Sequence, residues 1–265
     1  MQIEGVRVHG ESGPPVLLLP GGAEACDGFF PGLVEGLIAD PGARVIVHDR
    51  PGTGASTVDG SLAGAADHLS SVLDRLGHGP AVVVGQSLGG AVAVLLARDH
   101  PEQVAGLVLL DPTPINDART CARLERVMGV LGTLAAVPGL RRLLAKAVRS
   151  AALRSGRGRE LRPDCAAALA RTAELDITTL ARAVRGTTEL ARGLRESDLP
   201  RLPAVVVTAD RKPDHAVRRA HDRLATAFGG TVVNWPGATH SVHLDHPDEV
   251  LATVRELVTR VGTAS

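Results

Sequence analysis

The chain has 265 residues, of which 44% are hydrophobic and 22% charged, and its formal net charge is zero. This length and hydrophobic content exclude a disordered chain and suffice for one large domain with a sizeable core. Because the net charge is zero, it gives no electrostatic reason to expect a nucleic-acid partner.

Apolar runs alternate with amphipathic stretches at both ends of the chain, which predicts an α/β fold with a mostly parallel sheet flanked by helices. In chain order, short apolar runs predict strands at Ile3–Val8, Val16–Leu19, Arg44–His48, Ala81–Val84, Val104–Leu110, Ala204–Thr208 and Thr231–Trp235. Helical periodicity predicts helices at Phe29–Ala39, Leu62–Leu76, Leu88–Asp99, Asp214–Ala227 and Pro247–Val261.

Residues 113–199 interrupt this alternation, because they contain no convincing strand and are rich in Ala, Leu and Arg. Breaks such as Pro138-Gly139 and Pro163 predict several short helices inserted between two strands. We therefore predict a core domain of residues 1–112 and 200–265, with residues 113–199 forming a helical lid or cap.

The insertion has more arginines than acids. They include Arg119, Arg123, Arg126, Arg141, Arg142, Arg149, Arg154, Arg157, Arg159 and Arg162. These cations either form a solvated helical face or line an entrance that attracts an anionic substrate. Charge runs are usually solvated faces, which favours the first interpretation.

The most informative segment is Gly85-Gln86-Ser87-Leu88-Gly89, which lies between the apolar run Ala81–Val84 and a predicted helix. A serine between two glycines at a strand-to-helix junction is typical of a sharp turn that exposes its hydroxyl above the sheet. The Leu88 N–H falls at a helix N-terminus, where backbone donors have no intrahelical partner. The alternative is a glycine-rich turn with an ordinary capping serine.

Two further residues follow strands at the same edge of the predicted sheet. Asp210 follows Ala204–Thr208, and His240 follows the last strand. Loops at the C-terminal ends of parallel strands converge on one crevice, so Ser87, Asp210 and His240 can meet there. A serine is activated by an adjacent histidine base, which an acid orients.

The sequence resembles the α/β-hydrolase family over essentially the whole chain. The resemblance is carried by Leu17–Gly22 as the oxyanion loop, Asp49–Ser56 as a loop common in the family, the Gly85–Gly89 elbow, and Asp210 and His240 in that order. It implies an α/β-hydrolase fold and acyl transfer through Ser87. The serine argues against the dehalogenases and epoxide hydrolases of this fold, which place Asp at that position.

The resemblance also implies an oxyanion hole formed by the backbone N–H groups of Leu88 and Gly22. The family often has His-Gly before the oxyanion residue, whereas Pro20 stands at the His position here. The support of this loop must therefore differ, and Ala23 is the alternative to Gly22.

Other polar residues compete for roles in the site. Asp111 also ends a strand, where some relatives carry the acid, but chain order and position favour Asp210. Asp49 and Arg50 are expected to brace the loop after their strand. His243 is expected to be a loop residue, and Asp214 to cap the helix that follows it.

Neither a metal nor an organic cofactor is expected. The three cysteines are widely spaced and show no metal-binding or disulfide pattern. No signal peptide or membrane-length apolar stretch is visible. These features predict a cytoplasmic protein with free thiols, and the oligomeric state cannot be read from the sequence.

The expected activity is hydrolysis of a carboxylic ester, thioester or lactone by a Ser-His-Asp triad, with a small-molecule acyl substrate in a pocket lined by the apolar insertion. The same triad could serve an acyltransferase, a lyase or a cofactor-free perhydrolase. A ligand receptor or carrier on this scaffold is a further alternative, because fold alone does not determine function.

Overall fold

The structure, a computed structural model, describes residues 3–263 apart from 55, 57–60, 138, 141, 145, 148–149, 151–159, 173 and 175. The described strands are β1 (Val6–His9), β2 (Pro15–Leu19), β3 (Arg44–His48), β4 (Ala81–Gln86), β5 (Val104–Leu110), β6 (Ala204–Thr208) and β7 (Thr231–Asn234). They form one sheet in the order β1-β3-β2-β4-β5-β6-β7. β1 pairs with β3 antiparallel, and every other neighbouring pair is parallel.

The described α-helices are α1 (Leu33–Ala39), α2 (Ala65–Leu76), α3 (Leu88–Asp99), α4 (Ala118–Ala135), α5 (Pro163–Thr172), α6 (Ile177–Ala183), α7 (Thr187–Gly193), α8 (Ala216–Phe228), α9 (Val242–Asp245) and α10 (Pro247–Gly262). Single 3₁₀ turns occur at Pro101–Gln103 and Glu196–Asp198. Within the described residues, none of these helices has both the length and the apolar content needed to cross a bilayer.

Helices cover both faces of the sheet, because the side chains of each strand alternate between two cores. On β4, Val83 packs in the core that contains α2, α3 and α8. Its neighbours Val82 and Val84 face the opposite core, which contains α1 and α10. All six residues of β4 are buried, so the strand that precedes Ser87 is held from both sides. The predicted α/β fold, a mostly parallel sheet flanked by helices, is therefore confirmed.

The helices α4 to α7 all lie between β5 and β6 in the chain, within the predicted insertion. α4 packs against α6 and α7, and α5 packs against the short helix α9 of the core. Five arginines named in the insertion, Arg141, Arg149, Arg154, Arg157 and Arg159, lie outside the described residues.

Three predicted helix starts are wrong. α2 begins at Ala65 rather than Leu62, and the other two starts differ for local reasons. α1 begins at Leu33 rather than Phe29, because Gly32 precedes it in the left-handed region with φ 73°. α8 begins at Ala216, and its N-cap is His215, whose Nδ1 accepts from Val217 N. Asp214 therefore does not cap this helix.

Candidate active site

Ser87 lies at the sharp turn between β4 and α3, with φ 51° and ψ −116°. A Cβ at Gly85 would lie 2.5 Å from the carbonyl oxygen of Gly89, and a Cβ at Gly89 would lie 2.2 Å from the carbonyl oxygen of Leu19, so both positions require glycine. The turn is fixed by backbone hydrogen bonds: Ser87 N donates to Leu110 O at 3.1 Å, and Thr113 N donates to Ser87 O at 2.9 Å.

A continuous hydrogen-bonded chain connects Ser87, His240 and Asp111. Ser87 Oγ lies 2.9 Å from His240 Nε2, and His240 Nδ1 lies 2.6 Å from Asp111 Oδ2. Since an ionised carboxylate only accepts, Nδ1 carries the ring proton and Nε2 presents its lone pair to the serine hydroxyl. Gln86 Nε2 donates to the His240 carbonyl at 2.8 Å and holds the loop that carries the imidazole. This is the arrangement that activates a serine nucleophile.

The prediction that Asp210 orients His240 is wrong in this structure. Asp210 is exposed, its backbone N donates to Ala238 O at 2.7 Å, and its carboxylate accepts from Gly237 N at 2.9 Å. Both ring nitrogens of His240 are already used by Ser87 and Asp111. Asp210 therefore braces the loop before His240.

The sheet explains why Asp111 takes this place. β5 lies beside β4, with Leu110 opposite Gln86, so the residue after each strand, Asp111 and Ser87, reaches the same level at the sheet edge. Asp210 lies two residues beyond the end of β6, one strand further from the nucleophile. Asp111 is 1% exposed, whereas the loop that carries Asp210 runs along the surface.

The carboxylate of Asp111 has four hydrogen-bond donors around it. Oδ2 accepts from Arg211 Nη2 at 2.7 Å as well as from His240, and Oδ1 accepts from Ala209 N at 2.9 Å and from Arg211 Nη1. Burial alone would raise the pKa of Asp111, but the hydrogen bonds from Arg211 and His240 outweigh burial and hold the pKa well below its usual range. The acid is therefore ionised at neutral pH.

The expected oxyanion donors face the same space as Ser87. Leu88 is the first residue of α3, so its N–H has no acceptor within the helix, and both Leu88 and Gly22 line the cavity. Ala23 instead lines a neighbouring cavity, which favours Gly22 over Ala23. Arg50 Nη2 donates to the Gly22 carbonyl at 2.5 Å and fixes this peptide.

Asp49 and Arg50 brace this region through backbone hydrogen bonds, as predicted. The Asp49 carboxylate accepts from Cys26 N at 2.6 Å, while the buried Arg50 reaches Gly22. Together they tie the loop after β3 to the loop after β2. These two hydrogen bonds therefore support the loop that follows Pro20.

A cavity of about 330 Å³ opens beside Ser87 and His240. Its far wall comes from the insertion and is apolar, with Leu124 and Met128 of α4, Leu180 of α6 and the nearby Val184. Apolar walls with a few placed polar groups are typical of small-molecule sites. Among the described arginines of residues 113–199, none lines this cavity.

Sequence reasoning missed several polar residues that shape the site. Arg211, next to Asp210, carries no motif, and its pairing with Asp111 depends on the path of the loop after β6. His243 was expected to be a loop residue, which is wrong, because it lies in α9; it lines the cavity, with its ring stacked on Phe29 at a centroid distance of 4.5 Å. Burial lowers the pKa of His243 to about 3, so this ring is neutral.

Glu24 is a further residue that the sequence did not single out. It lines the cavity beside Ser87 and also the neighbouring one, and Thr172 of α5 donates to its Oε2 at 3.0 Å. Burial raises the pKa of Glu24 to about 7, although the Thr172 hydrogen bond and the nearby Arg171 charge oppose the rise. Its position just after the oxyanion loop was the available signal.

Within the described part of the chain, no group of three or more His, Cys, Asp or Glu side chains could hold a metal ion. The described thiols are free and buried. Burial raises the pKa of Cys26 to about 12, and its Sγ donates to Leu18 O at 3.4 Å.

Comparison with known proteins gives partial sequence matches to lipases. Lipase LipV of Mycobacterium tuberculosis is 37% identical over 136 residues, which are 50% of this chain and 48% of LipV. The sn-1-specific diacylglycerol lipase ABHD11 of Mus musculus is 32% identical over 110 residues, which are 41% of this chain and 36% of that protein. The matches therefore span less than half the length of these curated relatives.

Solved structures match over a longer range. A thermophilic esterase from Thermogutta terrifontis has a TM-score of 0.73 and 23% identity, and the match covers 97% of this chain and 93% of the esterase. At this identity the likeness shows the fold. The model of the alpha/beta hydrolase family matches residues 16–253, which is most of the chain. The protein thus belongs to the α/β-hydrolase family.

Proposed function

We propose that this protein is a serine hydrolase that cleaves a carboxylic ester through an acyl-Ser87 intermediate. The observation that carries the proposal is the hydrogen-bonded chain from Ser87 Oγ to His240 at 2.9 Å and from His240 to Asp111 at 2.6 Å. This chain opens into an apolar cavity. The lipases among its partial relatives support an ester substrate.

Each residue has a defined role in the proposed reaction. His240 Nε2 accepts the Ser87 proton while Oγ attacks the acyl carbon, and the N–H groups of Leu88 and Gly22 stabilise the oxyanion. The imidazolium then protonates the leaving alcohol. Water, deprotonated by the same nitrogen, attacks the acyl-enzyme, and Ser87 regains its proton as the acid leaves. Asp111 maintains the ring tautomer and stabilises the imidazolium throughout.

The size and lining of the cavity support a small acyl substrate. At about 330 Å³, it falls at the small end of ligand sites, which span roughly 300–1,000 Å³. Its apolar wall suits a short or medium alkyl acyl group, and we propose that α4 and α6 act as a lid over this group. Thioesters and lactones present the same electrophilic carbon and belong to the same proposal.

The test is hydrolysis of p-nitrophenyl acetate, butyrate, octanoate and palmitate by the wild type and by Ser87→Ala. We expect turnover of the shorter esters, with a loss in the variant of at least about 10³-fold because the nucleophile is absent. The variant should stay folded by circular dichroism, since Ser87 is only partly buried at the sheet edge.

A fluorophosphonate probe supplies an independent check on the intermediate. Mass spectrometry should locate a single adduct on Ser87 of the wild type and none on Ser87→Ala. Undiminished ester turnover by Ser87→Ala, or an adduct at another serine, would contradict the proposed nucleophile.

A further inference from the structure

Arg211 forms a bidentate ion pair with the proposed triad acid. Its two terminal nitrogens donate to the two oxygens of Asp111, with Nη2 at 2.7 Å from Oδ2, the same oxygen that accepts from His240. Such a bidentate pair is among the strongest and most directional of charge-assisted hydrogen bonds. The Arg211 side chain is 20% exposed and lines the catalytic cavity, whereas Asp111 is 1% exposed.

The other basic group beside Asp111, His221, does not supply a positive charge to this carboxylate. His221 Nδ1 lies 3.8 Å from Asp111 Oδ1, but its Nε2 must donate to the Pro112 carbonyl at 2.8 Å, since a carbonyl only accepts. Nδ1 then accepts from the Thr208 hydroxyl at 3.0 Å. Burial lowers the pKa of His221, so the ring is neutral. Arg211 is therefore the permanent positive charge on Asp111.

We propose that Arg211 is a positioning residue that shares the charge of Asp111 with His240 and thereby weakens the stabilisation that Asp111 gives to the imidazolium. The inference rests on the proposed function, because it concerns the same base. A full negative charge at Nδ1 favours the protonated ring, and the adjacent guanidinium offsets part of that effect.

Among the groups that face His240 from each neighbouring element, Arg211 is the main charge that acts on the Asp111–His240 pair. Asp111 comes from β5, Arg211 from the loop after β6, and Ser87 from the start of α3. His243 of α9 and His221 of α8 are both neutral. Across the cavity, Glu24 has a pKa raised by burial to about 7, and it pairs with Thr172.

Neighbouring acids in the same loops are engaged elsewhere. Asp245 of α9 accepts from the Thr239 backbone and hydroxyl, both at 2.6 Å, and Asp210 accepts from Gly237 N. The loop after β6 therefore contributes a cation to the triad through Arg211, although its acid Asp210 was predicted to be the triad member.

The test compares wild type, Arg211→Met and Arg211→Lys by NMR titration of the His240 ring, assigned from a His240→Gln spectrum. We expect the titration midpoint of Arg211→Met to rise by about 0.5–1 pH unit, because Asp111 then acts on the imidazolium alone. Arg211→Lys keeps the positive charge but cannot form the bidentate pair, so its midpoint should lie between those of the wild type and Arg211→Met. Thermal unfolding identifies any variant that does not fold. If Arg211→Met does not fold, Arg211→Lys still tests the proposal.

Kinetics supply the second readout, with a neutral ester so that no substrate charge contacts Arg211. The acidic limb of kcat/KM should move by the same amount, so that Arg211→Met loses about 3–10-fold at pH 6 and little at pH 8. The matched control is Lys212→Met, which removes an equal charge from an exposed position in the same loop and should leave the limb in place.

Three outcomes would overturn the inference: an unmoved His240 titration in folded Arg211→Met, an equal shift in Lys212→Met, or a loss of kcat/KM in Arg211→Met that is the same at pH 6 and pH 8. Its failure is distinguishable from failure of the proposed function. The NMR midpoint needs no turnover, whereas the absence of Ser87 labelling by a fluorophosphonate in the wild type would reject only the acyl-enzyme.

Discussion

At the scale of single residues, backbone strain coincides with the proposed chemistry. Among the described residues, two that are not glycine have a positive φ, namely Ser87 at 51° and Asp111 at 44°. Such a conformation costs of order 1–3 kcal/mol and persists only where the surroundings enforce it. Hydrogen bonds from Asp111 N to Val207 O at 2.7 Å and from Ser87 N to Leu110 O hold the two residues. This strain supports Asp111 as the partner of His240.

Glu24 is expected to make stability depend on pH. Its pKa, raised by burial to about 7, exceeds the unfolded value, so the folded state binds the proton more tightly. The stabilisation is complete below the unfolded pKa and is lost as the pH rises through the folded pKa. Glu24→Gln stays neutral and should exceed the wild-type free energy of unfolding by about 1–2 kcal/mol at pH 8 and by little at pH 4.5.

Urea unfolding at the two pH values measures this difference. The control is Glu256→Gln, an exposed acid of α10, which should leave the stability close to wild type at both. A constant gap between Glu24→Gln and wild type across this range would show that the Glu24 carboxyl does not take up a proton there.

At the scale of secondary-structure elements, α4 presents two different faces. Leu124 and Met128 line the cavity, while Val130 is 55% exposed. The spacing of four residues places Leu124 and Met128 on one side of the helix, and Val130, two residues after Met128, lies on a different side. The helix therefore supplies the apolar wall that we propose limits the acyl group.

Met128→Trp should shorten the accepted acyl chain, because a larger side chain fills part of the cavity of about 330 Å³. In the p-nitrophenyl ester series, we expect kcat/KM for octanoate to fall by at least about tenfold relative to acetate, the usual consequence of losing apolar contact in a pocket. Val130→Trp on the exposed face is the matched control and should keep the wild-type ratio. An unchanged ratio in Met128→Trp would place the acyl group elsewhere.

At the scale of the whole molecule, the insertion is joined to the core beside the site. Arg162 donates to Asp248 of α10 at 2.6 Å and to Pro31 O at 3.2 Å, and Thr172 of α5 binds Glu24 after the oxyanion loop. α5 is therefore one point at which the insertion joins the core, while side chains of α4 and α6 line the cavity.

Much of this architecture could be predicted from the sequence, because strand hydrophobicity and the Gly85–Gly89 turn are local signals. The acid could not. Asp111 and Asp210 both follow strands, and the choice depends on which strand lies beside β4 and on where the later loop runs. Arg211 and the packing of α4 on α6 are tertiary relations that leave no local pattern. The role of the insertion as a lid stays a prediction.

The most direct test of the central claim compares Asp111→Asn with Asp210→Asn in ester hydrolysis. If Asp111 orients His240, Asp111→Asn should lose about 10³–10⁴-fold in kcat, because the amide favours the wrong imidazole tautomer. Asp210→Asn should remain near wild type, since this exposed carboxylate contacts only the loop backbone. A large loss in Asp210→Asn, with Asp111→Asn folded and active, would contradict the account.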